Sequence, residues 1–333
     1  MRSRFFGLLT VFLLGGAEPA LKRDERTEPH MGTSFQIILY APDKDTARKA
    51  AADAFARIAS LNAIMSDYDK SSELMRLCAQ AGGPPVPVSG ELFFVLSKAQ
   101  EVSRQSGGAF DVTIGPVVKL WRTARKKRKL PDPEKLAAAR ALVGWRNVRL
   151  DKDKQTVQLL KAGMQLDLGG IAKGYAADEA LAVLKKHGID RALVAAGGDI
   201  AVSGPPPDAD GWKILIQPLR GEKDPGRLIL HHAAVSTSGD AEQYVEIDGK
   251  RYSHIVDPRT GIGLVGRMSA TVAARRGIDA DSLTKVVAVL GPEKGIEIIE
   301  SHEGASARMV RKKGDEFETI FSKRFPKLHP AEK

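Results

Sequence analysis

Apolar positions recur along most of this chain, and their period separates helices from strands. Between Lys44 and Met65, Ala47, Ala51, Ala54, Phe55, Ile58 and Leu61 return at helical spacing, which predicts an amphipathic helix. A second follows from Glu91 to Gln105, with Leu92, Val95, Leu96, Ala99 and Val102 on one face. SFQIILYA, RALVAAGGDIAVSG, GWKILIQP, RLILHHAAVS and QYVEIDGKRYSHIV carry the β-branched and aromatic content of strands. Asp248-Gly249 supplies a hairpin turn within the last of these, and a further hairpin falls around Asp151 to Gln155. Helices are expected over 134–142, from DLGGIAKG to His187-Gly188, from Asp279 to Leu290 and briefly after Pro292, before two closing strands. Hairpins outnumber strand–helix–strand units, so the predicted fold class is α+β, with largely antiparallel sheets flanked by helices.

The ends change this picture. Arg2 and Arg4, the apolar run Phe5 to Leu14 and the small residues Gly15 to Ala17 read as a signal peptide over 1–17. That run is too short to span a bilayer, so no stable membrane span is expected in the mature chain. Residues 18–30 read as a polar lead-in, 31–325 as one domain of intertwined segments, and 326–333 as a tail. Cys78 is the only cysteine, which excludes an internal disulfide and a cysteine-clustered metal site. An exported, periplasmic protein is the expectation.

The 333 residues, 43% of them hydrophobic, suffice for a buried core. A formal charge of +10 suits an anionic ligand or surface. No helix-turn-helix, zinc finger or aromatic RNA-binding platform accompanies it, so nucleic acid is not the expected partner. Arg122, Arg125, Lys126, Lys127, Arg128 and Lys129 read as a solvated basic loop, or as a docking patch for an acidic partner or membrane surface.

Four segments could carry chemistry. Asp167-Leu-Gly-Gly-Ile-Ala-Lys-Gly174 sets glycines before a helix and Lys173 in its first turn, which is a phosphate cradle in physical terms but neither a Walker A loop nor a dinucleotide fingerprint. A structural Gly-rich turn is the plainer reading. Ser253-His254-Ile-Val-Asp257 offers an imidazole that can accept a proton, with a carboxylate three residues on that could orient it; a buried structural histidine is the alternative. Asp279-Ala-Asp281-Ser-Leu-Thr284-Lys285 opens a helix, where its carboxylates would cap the helix or hold a hard cation. Tyr68, in a loop after a helix, could stack on a planar ring, and Gly107 to Asp111 offers backbone donors and a carboxylate.

Taken in order, MGTSF, SDYDKSSEL, GGAFDVTIGP…LW, DLGGIAKGY…GGD, STSGD…YSHIVDPRTG and DADSLTKVVAVLG closely resemble the FAD:protein FMN transferase family, the ApbE-type flavin transferases. The resemblance spans about residues 31–291. It implies an elongated FAD-binding cleft and transfer of FMN, with release of AMP, from the substrate FAD to a Thr or Ser hydroxyl of an exported flavoprotein acceptor. By position, it places Met31, Tyr68, Ala109, Phe110, Asp111, Asp167, Lys173 and Ile255 against FAD and makes His254 the catalytic histidine. Gly170, through its carbonyl, and Asp281 with the helix residues just after it, Thr284 among them, fall at the family's Mg²⁺ site.

Two departures accompany the resemblance. Lys285 stands where the family usually has Thr, and Thr284 lies one residue early, a rotation of roughly 100° on a helix. Lys285 could instead supply positive charge near the pyrophosphate. In SGDAEQ, Ala241 stands where an aromatic commonly follows Gly-Asp. Three other functions remain compatible with these residues: an FAD pyrophosphatase, a non-catalytic exported FAD-binding protein, and an interaction protein using the basic segment.

Overall fold

The computed structural model describes residues 20–223, 225–239 and 244–330. The segment read as a signal peptide and Ala241 lie outside them. The chain opens with β1 (Lys22–His30) and β2 (Thr33–Ala41), followed by α1 (Lys44–Met65) and α2 (Glu73–Ala79). Next come β3 (Val86–Pro87), α3 (Gly90–Gln105), α4 (Gly115–Lys127), α5 (Pro133–Ala141), β4 (Val148–Asp151) and β5 (Thr156–Leu159). Then α6 (Ala172–Lys186) leads into β6 (Ala192–Ala196), β7 (Asp199–Val202), β8 (Trp212–Leu215), β9 (Arg227–Leu230) and β10 (Ala233–Gly239). The last part holds β11 (Tyr244–Ile247), β12 (Lys250–Asp257), β13 (Ile262–Val265), β14 (Met268–Ala274), α7 (Gly277–Ser301), β15 (Ser306–Lys313) and β16 (Glu316–Phe321).

The fold is α+β, as expected. Its centre is an eight-stranded antiparallel sheet in the order β1-β2-β6-β7-β10-β14-β15-β16. Alternation along β2 turns Phe35, Ile37 and Leu39 to one face, where they join the main core with residues of α1, α6 and α7. The opposite face of β6 and β7 packs Leu193 and Val202 against Trp212, Ile214 and Leu228 of the β8–β9 hairpin. A third, smaller core joins α4 to the β11-β12-β13 sheet through Val117, Trp121, Tyr252 and Val256. Trp121 Nε1 also donates to the Gly261 carbonyl at 2.8 Å, fixing the β12–β13 turn against α4.

Two segments differ from their expected form. The stretch read as a polar lead-in forms β1, paired antiparallel with β2 along its whole length. Its charged residues suit an edge strand, whose outer side needs no apolar partner. The basic segment after Trp121 is the end of α4 rather than a loop. Arg125, Lys126 and Lys127 occupy the last turn, where cations complement the helix's negative end, and Arg128 closes it in the left-handed conformation. At the other end of the chain, His329 exchanges backbone hydrogen bonds with Arg227, at 2.8 and 2.9 Å.

Helices α6 and α7 cap each other. Neither has a capping side chain of its own, since Ile171 and Arg276 stand at their N-cap positions. Asp178 of α6 accepts from the Gly277 and Ile278 amides of α7 at 2.6 and 3.1 Å. In return, Asp281 of α7 accepts from the Gly174 amide of α6 at 3.0 Å. Each carboxylate therefore satisfies donors that its neighbour's first turn leaves open. Asp279, expected as a possible cap, instead pairs with Lys98 of α3 at 2.9 Å.

The exchange has a pH signature. Burial pushes the Asp178 carboxyl up to about 6, with the amides of Gly277 and Ile278 pulling against it. The folded value lies above the unfolded one, so the folded protein binds this proton more tightly. Its contribution to stability is present in full below about pH 4 and is lost as pH rises through about 6, on the order of 3 kcal/mol in all. Urea unfolding of the parent and of Asp178→Asn between these limits should show a loss of stability greater in the parent by about that amount.

Candidate active site

Turns and helix ends converge on one side of the central sheet to form a cleft of about 480 Å³. The β1–β2 hairpin contributes Met31, whose φ of 49°, followed by 75° at Gly32, makes a two-residue turn of the type that matches strand twist. The β6–β7 hairpin contributes Gly197, Gly198 and Asp199. Only glycine fits at 198, since a Cβ there would sit 2.5 Å from the Thr237 carbonyl oxygen. The loop after α3 contributes Ala109, Phe110 and Asp111, the one after α1 contributes Tyr68, and the start of α6 contributes Gly170 and Lys173.

His254 and Ile255 reach the cleft from β12. The register between β12 and β13 shifts between Tyr252 and Val256, so His254 lies in an irregular stretch of strand. Such bulges re-aim a side chain next to a site. Asp257, expected as a partner for the imidazole, is committed elsewhere: its two oxygens accept from Arg259 Nε and Nη2 at 2.9 and 2.8 Å.

The remaining expected residues divide by what they touch. Asp111 lines the cleft, but its carboxylate accepts from the Thr113 amide and hydroxyl and from the Trp145 amide, at 2.7 to 2.8 Å. It therefore shapes the loop that presents Ala109 and Phe110. Burial pushes its carboxyl above the usual range, against those three bonds. Asp167 accepts from the Gly169 amide at 2.8 Å and from Arg122 at 3.0 Å. Burial, helped by neighbouring Asp67, pushes Asp167 up, and Arg122 opposes the rise. Thr284 lies outside the cleft, fully buried, with its hydroxyl donating to the Ala280 carbonyl at 2.5 Å.

Arg122, Arg125 and Asp199 are cleft residues that the sequence reading did not select. Ile114, Val118, Arg122 and Arg125 are spaced four, four and three apart, so they share one face of α4. That spacing was present in the sequence, hidden within a run of basic residues. Arg122 bridges Asp67 and Asp167 and stacks over Tyr68, 4.1 Å from the ring centroid. Tyr68 itself is 77% exposed, leaving its ring open to a planar ligand.

Two lysines of the cleft lining each pair with a buried carboxylate. Lys173 pairs with Asp199, whose other oxygen accepts from Ser236 Oγ at 2.6 Å. Lys285 pairs with Asp281, whose other oxygen holds the Gly174 amide. Burial alone would lower Lys173, but Asp281 and Asp199 hold it above the ordinary lysine range. Burial likewise would raise Asp199, and Lys173 and Lys285 keep it below the usual carboxylate range. The Lys173 ammonium therefore stays charged in the cleft wall.

A cleft with an exposed aromatic at one place, a glycine-rich helix start with fixed cations at another, and a half-buried histidine suits a large anionic ligand carrying a planar ring. The sequence pattern of the ApbE family matches residues 31–309, and the chain belongs to that family. It is 34% identical to an FAD:protein FMN transferase of Haemophilus influenzae, over 90% of this chain and 89% of the relative. The corresponding enzyme of Treponema pallidum is 33% identical, over 91% and 90%. Among solved structures, the apo flavinyl transferase ApbE of Pseudomonas stutzeri superposes with a TM-score of 0.81 at 31% identity, covering 91% of this chain and 96% of that one. The flavin transferase ApbE of Vibrio cholerae gives 0.80 at 30%, covering 91% and 98%.

Proposed function

We infer that the chain is an FAD:protein FMN transferase that moves FMN from FAD onto a Thr or Ser hydroxyl of an acceptor protein. The observation that carries this is the convergence of Lys173, the glycine-rich start of α6 and His254 on one cleft, in a member of the ApbE family. In the transfer, the acceptor oxygen attacks the FMN-side phosphorus and the bond from that phosphorus to the bridging oxygen breaks. AMP leaves with the electron pair. His254 takes the hydroxyl proton, and Lys173 in the first turn of α6 offsets charge on the pyrophosphate. Tyr68, Met31 and Phe110 offer the apolar surface for a flavin or adenine ring.

The donors expected to hold Mg²⁺ do not fit an ion as they stand. Both Asp281 oxygens are engaged, the Thr284 hydroxyl faces a helix carbonyl, and no group of three or more metal-binding side chains occurs among the described residues. No step of the transfer is therefore routed through a metal. Export is supported by the basic and apolar pattern of residues 2–17, which fits an acceptor in the periplasm. Incubation with FAD and a flavoprotein acceptor should add one FMN to the acceptor mass and release an equal amount of AMP. Free FMN and AMP without acceptor would make the protein a pyrophosphatase, and bound FAD without AMP a carrier.

A further inference from the structure

The Lys285 side chain lies across the phosphate-binding end of the cleft. Its stem packs over Gly170, where a Cβ would meet Lys285 Cγ at 3.4 Å and Cε at 3.6 Å. Its ammonium reaches Asp281, and its side chain is only 16% exposed. The Asp281–Lys285 spacing of four residues, with the acid toward the N-terminus, is the favourable order for such a pair on a helix. One side chain thus covers Gly170 and pairs with Asp281, the two residues that the family resemblance assigns to Mg²⁺. We propose that the Lys285 ammonium permanently replaces a divalent cation in this cleft, positioning the FAD pyrophosphate so that the chain binds and uses FAD without Mg²⁺.

The charge pattern supports this. Lys173 and Lys285 balance Asp199 and Asp281, so this part of the wall is closed without an added ion. Asp199 is fully committed as well, to Lys173 and Ser236. A divalent cation entering here would have to displace an ammonium from a fully buried carboxylate and sit beside it, with like charges in a poorly solvated place. Arg125 of α4 adds positive charge to the cleft lining, while Arg122 beside it is held by Asp67 and Asp167. Arginine and lysine keep these charges without the dehydration that Mg²⁺ resists.

This proposal rests on the FAD-binding reading, and the experiment separates the two. The purified protein is titrated with FAD, followed by flavin fluorescence, once in excess chelator and once in excess Mg²⁺. Mn²⁺ uptake by the protein–FAD complex is read in parallel by electron paramagnetic resonance. The expected result is an FAD dissociation constant that differs by less than about threefold between the two conditions, with no Mn²⁺ bound beyond that held by FAD alone. Lys285→Thr should bind FAD about tenfold more weakly in chelator, the order expected for one lost charge-assisted contact. It should recover in Mg²⁺ and take up one Mn²⁺. A parent protein whose FAD affinity rises more than about threefold with Mg²⁺, or whose complex binds one Mn²⁺, overturns the proposal while leaving the function in place. A parent that binds no FAD in either condition overturns both. The parent arm decides even where the variant fails to fold.

Discussion

Replacing His254 with alanine lowers the rate of FMN transfer by about 10²- to 10⁴-fold while FAD affinity stays within about twofold of the parent. The asymmetry follows from where the imidazole sits. It reaches the cleft from the irregular stretch of β12, whereas the fixed positive charges come from α4, α6 and α7. A group whose task is to take a proton from the incoming hydroxyl acts in the transition state and adds little to ground-state binding. Single-turnover transfer, measured beside an FAD titration, separates these quantities. Added imidazole should restore part of the lost rate in the alanine variant, which a merely structural role would not allow. Full transfer by His254→Ala, or a loss that appears entirely in FAD affinity, would remove the histidine from the proton-transfer step.

How far the sequence disclosed this arrangement depends on the range of each interaction. α1, α3 and α6 carry their apolar period on their own faces, and the Asp248-Gly249 turn needs only its two residues, with φ of 49° and 73°. These elements were readable locally. β1 was not, because KRDERTEPH has no buried face to betray its period and becomes a strand only by pairing with β2. The end of α4 was misread for a related reason. Six basic residues within eight positions look like a solvated loop, although Arg122 and Arg125 continue the helical spacing of Ile114 and Val118.

The site followed the same division. His254, Lys173 and Tyr68 stood out as residue types beside turn and helix signals, and the family resemblance placed Met31, Phe110 and Ile255 with them. Asp199 did not stand out, because a lone acid after two glycines reads as part of the hairpin until Lys173 and Ser236 close on it from elsewhere. The roles of Asp178 and Asp281 were hidden by distance. Each caps a helix about a hundred residues away in sequence, at separations of 99, 100 and 107, so no local pattern could announce them.

Gly174→Ala should be the most damaging single-atom change among these residues, costing on the order of 4–5 kcal/mol and abolishing FAD binding with it. As a sequence feature, Gly174 closes a glycine-rich phosphate loop; in the structure its absent side chain serves helix packing. A Cβ there would fall 2.1 Å from the Gly277 carbonyl oxygen and 2.8 Å from Asp281 Cβ. The first neighbour is backbone, so no rotamer change relieves the clash and α6 must move away from α7. That movement breaks the Gly174–Asp281 bond and pulls Asp178 from the Gly277 and Ile278 amides, uncapping both helices at once. It also carries Lys173 away from Lys285, separating the two lysines of the cleft lining. Urea denaturation and FAD titration of the variant measure the two losses. Because they share one cause, a variant that remained as stable as the parent yet lost FAD binding would contradict the packing argument and return Gly174 to the role of a ligand-approach glycine.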